Sequence, residues 1–584
     1  MKKAVSSRDV ALARLCHRES ARRRESRLLC RWQRSPVYRF LRIARETANE
    51  TPLFAFALFL APSGLASLFR CLILPILTDD FVLLPWGAFA GAVLSLLSFL
   101  LAAYRIPLSR VAADCLLSRL LFDTLALPRP YATGRRGIPW WLLLIAGIGL
   151  GVLSVYASPF LLLGILTAAA MLLPALEVPE VSLILVAILF PLTGLLEIPL
   201  LLLSILVLFA VISYILKLAV GKRGISLSLC DLFVLLFALT AFLTGLFTPS
   251  GVDGSFSGLA AALLAAGGYF LAANLLKTRR TILLLTRGLL LAGTVLGLAG
   301  VLERTVELST SSFSEGSFLL HLKNGLSLIT GESFAAYLVL LLPPALALLG
   351  SGRRHVVKTL PPFLLLVASL VLLFSPLAYL AMATALVFFF LAMRFPRQRI
   401  TLIAFFLCAL LPIGCLLLPT EWLEEAAPRL PFLGLDALLL EAAPLLSNGL
   451  LLFGTYPFGV GAGVTSVPSL YLQMMLESGF LALLFFLAAI ASSLFSAPVL
   501  SKDRTLEPLR RLSVGIGAGL LSLPVLGLLE NAFLDRRVLF LYFLLLGLLR
   551  AIGQTAKEER CLHPSLPAEL GTASVSVRLL RGEG

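Results

Sequence analysis

Residues able to do chemistry are few in this 584-residue chain, and they gather in two stretches. Residues 419–477 carry Glu421, Glu424, Glu425, Asp436, Glu441 and Glu477 against Arg429 alone. Carboxylates at suitable separation do general acid and base work, as in glycoside hydrolysis, and a solvated acidic loop has the same composition. Tyr456-Pro457-Phe458 is followed by Gly459, Gly461 and Gly463. Their spacing is not GxGxxG and no strand precedes them, so they predict a tight turn or a close backbone approach rather than a nucleotide site. The second stretch, 303–332, holds Glu303, Glu307, Glu315 and Glu332 with Arg304, Lys323 and His321. Of the four histidines (His17, His321, His355 and His563), only His321 falls in either stretch. No Ser/His/Asp set or Walker loop can be assembled. The eight cysteines show neither CxxC nor metal-ligand spacing, so no disulfide framework, metal or cofactor is expected.

The elements that must position these residues are membrane helices. Hydrophobic residues make up 59% of the chain and charged ones 14%, against roughly 45–50% and about 25% in soluble domains. The mean hydropathy is +0.98. Apolar runs near 52–69, 81–103, 138–156, 158–175, 181–196, 198–219, 228–247, 256–276, 282–302, 333–350, 360–374, 377–393, 400–418, 478–496, 513–530 and 538–552 are separated by short polar breaks. Runs of this length cross a bilayer, so the fold class is all-α, a polytopic helical membrane protein of about 14–16 transmembrane helices. A soluble enzyme is excluded. Charges within the runs are sparse. Asp231 and Arg287 lie near run ends, where side chains can reach the interface.

Net charge is +16, and residues 1–50 supply +9 of it, fourteen Lys/Arg against five acids. This segment reads as a membrane-proximal arm attracted to anionic headgroups rather than a nucleic-acid binder. It is too long for the charged head of a cleavable signal peptide, so the first apolar run is expected to be an uncleaved span. With residues 1–50 placed in the cytoplasm, the Lys/Arg-rich breaks near 105–136, 222–223, 277–280, 353–358, 394–399 and 502–511 all fall inside. The acidic stretches 303–332 and 419–477 fall outside. The expected organisation is a basic cytoplasmic segment (1–50), N-terminal transmembrane helices (51–219), a second transmembrane region (220–552) and a cytoplasmic tail (553–584). Both termini are then cytoplasmic, and the location is the cell (inner or plasma) membrane. The 419–477 stretch is expected to lie over the bundle at the outer face, with 430–453 suited to an interfacial amphipathic helix.

Four segments recur in a known order. Ser333-Phe334-Ala335-Ala336-Tyr337-Leu338 precedes Pro343-Pro344, and Ser375-Pro376-Leu377-Ala378-Tyr379 opens a later run. Phe458-Gly459-Val460-Gly461-Ala462-Gly463 leads to Tyr471-Leu472-Gln473-Met474-Met475-Leu476-Glu477-Ser478-Gly479-Phe480, and Glu530-Asn531-Ala532-Phe533-Leu534-Asp535-Arg536-Arg537-Val538 enters the last run. From about residue 200 this layout resembles the O-antigen ligase and O-antigen polymerase superfamily, in its multi-span Gram-positive form. The third segment is similar to the family's HNxYLQxLxExG, the first to NPNxxAxYL and the second to SRGAW. Two hallmarks depart from the pattern. Counting back eleven residues from Gly479 lands on Pro468 where the family has histidine, and Pro376 stands for the SRGAW arginine.

The resemblance implies an O-antigen ligase-like bundle acting in cell-envelope polysaccharide assembly. Its partners would be the lipid bilayer, a glycan on undecaprenyl diphosphate and other envelope-assembly proteins. The implied reaction moves that glycan to a sugar hydroxyl at the outer face without a metal. Arginines would stabilise the diphosphate, and a base would take the hydroxyl proton. Here the implied substrate-binding residues are Lys323, Arg536, Arg537, Tyr471 and Glu477, with His321 as the candidate catalytic base. Lys323 and one of Arg536 or Arg537 should then line one cavity near Pro468 and Tyr471. The missing histidine and arginine keep two rivals open: a catalytically inactive relative acting as partner or regulator, and a lipid or glycan transporter.

Overall fold

The computed structural model describes residues 43, 46–70, 85–110, 137–156, 179–192, 200–219, 228–246, 251–310, 331–350, 353–373, 375–394, 435–461, 466–496 and 507–562. Among these, all the long elements are helices: α1 (Leu53–Leu68), α2 (Pro85–Ala102), α3 (Trp140–Tyr156), α4 (Pro179–Leu192), α5 (Leu200–Ala219), α6 (Leu229–Leu246), α7 (Gly251–Leu275) and α8 (Arg279–Thr310). They continue as α9 (Gly331–Leu349), α10 (Arg353–Leu372), α11 (Pro376–Arg394), α12 (Leu435–Thr455), α13 (Leu470–Ser478), α14 (Phe480–Ser496), α15 (Glu507–Leu526) and α16 (Arg536–Leu562). A 3-10 turn, Ala532–Leu534, joins the last two. The apolar runs 158–175 and 400–418 lie outside the described residues. Each of the other runs holds one helix, which leaves α12 and α13 as helices within the 419–477 stretch.

Six of the helical stretches are long and apolar enough to cross a membrane: Leu229–Leu246, Gly258–Leu275, Arg279–Leu302, Pro376–Met393, Pro508–Leu526 and Arg536–Ala556. The side-chain distribution on α6 gives the physical reason for a bilayer as solvent. Leu229, Leu232, Leu235, Leu239, Leu243 and Leu246 form an exposed stripe at helical spacing, while Cys230, Asp231, Val234, Phe237 and Ala241 face inward. A stripe of leucines turned outward is the inverse of a soluble helix, and only lipid hydrates it without penalty. This is a multi-pass helical membrane protein.

The main core runs from α4 to α16, and α16 is almost wholly buried at its centre. Phe540 stacks on Phe190 of α4 with centroids 4.2 Å apart, and Phe543 on Phe237 of α6 at 5.1 Å. Phe486 of α14 packs edge-on against Phe533 at 5.6 Å. Such pairs add directional packing to apolar burial. Gly547 lets α16 meet α7 backbone to backbone, because a Cβ there would stand 2.3 Å from the Tyr269 carbonyl oxygen. Helices α2 and α3 both pack on α1. Their ends are joined where the Ile138 amide donates to Thr51 Oγ1 at 2.9 Å and Pro52 bridges to Pro107.

Candidate functional site

Alternate glycines build the floor of the site. Gly459 and Gly461 hold φ of 95° and 99°, and Gly479 holds 83°, a region that side chains with a Cβ rarely adopt. The turn carrying Gly459 lies against the break between α13 and α14. A Cβ on Gly459 would fall 2.8 Å from the Gly479 nitrogen, and one on Gly479 would fall 2.7 Å from the Phe458 oxygen. The Val460 amide donates to the Leu476 carbonyl at 2.6 Å, and the Phe480 amide to that of Pro457 at 3.3 Å. The glycine run is therefore a close backbone approach, and it holds the last turn of α13 in place.

On that turn, Gln473 and Glu477 lie one helical turn apart on the same face. Gln473 Oε1 accepts from the Val467 amide at 2.8 Å, and its Nε2 donates to Glu477 Oε1 at 2.9 Å. The other oxygen, Glu477 Oε2, accepts from Arg536 Nη2 at 3.2 Å. Both members of this ion pair keep 12% of their side-chain surface exposed. Arg536 opens α16, so the pair ties α13 to the last helix.

These residues border a cavity with about 390 Å³ of empty space, part of it open to solvent. Its polar wall comprises Gln473, Glu477, Ser478, Asn531 and Arg536, and its apolar wall includes Phe237, Met474, Phe533 and Leu539. A mostly apolar lining with a few convergent polar groups is the usual chemistry of ligand pockets. Asn531 is 4% exposed, and neither its Oδ1 nor its Nδ2 meets a hydrogen-bond partner among the described residues.

The segments singled out in the sequence converge here. Ser375 Oγ caps the start of α11 by accepting from the Ala378 amide at 3.2 Å, and it donates to Glu530 Oε1 at 3.2 Å. The Tyr471 hydroxyl donates to the Pro524 carbonyl at 2.7 Å, and the Leu470 amide to that of Gly527 at 2.9 Å. The buried Tyr337 of α9 lies within electrostatic reach of Asp535 and Arg537. Residues 337, 375, 471, 477 and 530–537 thus meet at one end of the bundle.

The expected site residues divide. Glu477 and Arg536 line the cavity, whereas Tyr471 spends its hydroxyl on the backbone of α15. Arg537 donates through Nε to both Asp535 oxygens, at 2.8 and 3.0 Å, which gives it an internal partner beside Arg536. His321, Lys323 and Arg429 lie outside the described residues, as does the Arg304 side chain.

A second polar cluster differs from the sequence expectation. Asp231 does not reach toward the interface but is 3% exposed and turned inward. Its Oδ1 accepts from the Tyr269 hydroxyl at 2.6 Å and lies 3.1 Å from Arg550 Nε, while Oδ2 accepts from the Ser228 amide at 2.5 Å. Ser228 Oγ in turn faces the Asp231 amide at 3.4 Å. Ser228-Leu229-Cys230-Asp231 is a capping box, an S-x-x-D pattern readable in the sequence. That signal places the carboxylate at a helix start, and the arginine waiting in α16 then draws it inward.

No family model, curated protein or solved structure matches this chain. The chemistry of the cavity therefore rests on its own residues. Arg536 and Glu477 cancel in charge, so the described lining of the cavity is neutral and polar. It offers a carboxylate, a guanidinium and two amides within an apolar rim.

Proposed function

We propose that this protein acts in cell-envelope glycan assembly on a glycan carried by undecaprenyl diphosphate, in an O-antigen ligase-like bundle of about 14–16 spans. In this reading both termini are cytoplasmic and the Arg536 cavity opens at the outer face. The observation that carries the reading is the convergence just described. Two of the segments that carry the resemblance, 471–480 and 530–538, border one partly open cavity with a carboxylate and an arginine in it, and a third is tied to them where Ser375 donates to Glu530.

The transfer asks for two things that the pair supplies. The bond from the donor sugar's anomeric carbon to the diphosphate breaks, and a bond from that carbon to the acceptor oxygen forms. Glu477 is the carboxylate placed to take the acceptor proton, and Arg536 is the cation placed to meet the departing diphosphate. A donor entering the cavity would draw Arg536 from Glu477, freeing both groups together.

A second reading, a non-catalytic member that binds the same lipid as a partner of other envelope proteins, is favoured by the pairing of both arginines. Arg536 is held by Glu477 and Arg537 by Asp535. Deletion of the gene, followed by analysis of surface polysaccharide and lipid-linked precursors, tests the proposal. Loss of a polymer with accumulation of its precursor is expected, and complementation by Glu477→Gln separates the readings, since only the catalytic one requires the carboxylate. Unchanged polymer and precursor would overturn both.

A further inference from the structure

Asn531 sits in the connection between α15 and α16, immediately before the 3-10 turn Ala532–Leu534. An asparagine there commonly caps the turn, yet this one makes no cap hydrogen bond. Its side chain is 96% buried, as its 4% exposure implies, and both amide atoms lack a partner among the described residues. Buried amides are as a rule paired, and an unpaired one in a native protein calls for a cause. The neighbouring amide, Gln473, is fully engaged by Val467 and Glu477. Asn531 therefore brings to the cavity wall an amide whose donor and acceptor no described protein group uses.

The cavity charge narrows what would use them. Arg536 is neutralised by Glu477, so among the described residues the pocket wall carries no excess positive charge to prefer an anion. A side-by-side donor and acceptor instead complement an uncharged group that accepts and donates in turn. Beside Asn531, the Phe533 ring and Leu539 supply an apolar wall of the kind on which the C–H face of a sugar ring rests.

Resting on the glycan-lipid reading above, we propose that Asn531 is the residue by which the cavity recognises its ligand. It binds the first sugar, through a hydroxyl pair or an acetamido group, rather than the phosphate. Recognition at this point makes the sugar adjoining the diphosphate, not the lipid or the rest of the glycan, the unit that is selected.

The test is binding to the full-length protein in phosphatidylglycerol nanodiscs. The probes are undecaprenyl diphosphate, the same lipid bearing glucose, and the same lipid bearing N-acetylglucosamine. At least one sugar-bearing lipid is expected to bind more tightly than the bare diphosphate. Asn531→Leu should weaken that lipid about ten- to hundred-fold, the scale of two neutral hydrogen bonds, and leave the bare lipid unchanged. Asn531→Ala serves if the leucine variant is not recovered, and the wild-type comparison needs no variant at all. If the bare lipid binds as well as both sugar-bearing ones, or the variants weaken all three alike, the inference falls and the glycan-lipid reading survives. If none of the three binds, both fall together.

Discussion

At Arg550, α16 meets an aspartate whose two oxygens are both engaged, by Tyr269, Ser228 and the arginine itself. At Arg536, fourteen residues and about 21 Å earlier on the same helix, it meets a glutamate at the edge of a partly open cavity. A buried amide without a partner among the described residues lies in the same wall. Both ends put an ion pair in an apolar bundle, where charge is costly unless matched. One end is closed, which is the arrangement of a structural pin. The other is left open and incomplete, which is the arrangement of a site.

The pin carries the largest predicted effect. Arg550→Leu leaves Asp231 as a buried, uncompensated carboxylate, and removing one partner of such a pair costs about 3–5 kcal/mol. Combining it with Asp231→Asn should recover most of that loss, because the amide still serves Tyr269 and Ser228 without a charge. Chemical or thermal unfolding in detergent measures both. A loss below about 1 kcal/mol for the single variant would remove the contrast with the Glu477 end.

Gly479→Ala comes next. It forces a Cβ into a positive-φ position and against the Phe458 carbonyl, at about 1–3 kcal/mol. Because the strain releases the turn that seats Glu477, glycan function should fall further than stability does. Equal stability for the alanine variant would mean that the Gly459–Gly479 approach does not hold the site together.

Much of this fold was legible in the sequence because long Leu-rich runs have few alternatives. Helices lie in each of the apolar runs that fall among the described residues. The alternate glycines were readable as a turn or close approach, and the structure supplies the partner of Gly459, which is Gly479. Pairing across the bundle was not readable. Nothing local says that Asp231 meets Arg550, 319 positions away, or that Arg536 meets Glu477. Periodicity gives faces, and only packing gives neighbours. Asn531 carries no local signal of its role for the same reason. An asparagine in a turn is ordinary until its burial is known.

Arg536 and Arg537 sharpen the comparison within the open end. Arg536 borders the partly open cavity and Arg537 keeps 26% of its side chain exposed, so replacement of either by glutamine should cost about 1 kcal/mol of stability, well short of the Arg550 loss. Only Arg536 borders the cavity. Arg536→Gln is therefore expected to fail in complementing the gene deletion, while Arg537→Gln succeeds at equal membrane abundance. The reverse result would move the site toward Asp535 and Tyr337.

The smallest predicted effect on stability has the opposite sign. Asn531→Leu removes two buried polar atoms that lack partners among the described residues and replaces them with apolar surface of similar size beside Phe533 and Leu539. Leaving such groups unsatisfied is what makes a buried amide expensive, so exchanging them for carbon is expected to be neutral or to raise stability by up to about 1 kcal/mol. A structural asparagine behaves otherwise: its loss would expose the groups it had been pairing, and the variant would unfold earlier. The thermal midpoint of Asn531→Leu without added lipid thus tells the two apart. A midpoint at or above that of the parent, beside the steep loss at Arg550→Leu, is what an open site at one end of α16 and a closed pin at the other require. A drop comparable to the Arg550 variant would make Asn531 part of the scaffold and remove the asymmetry between the two ends.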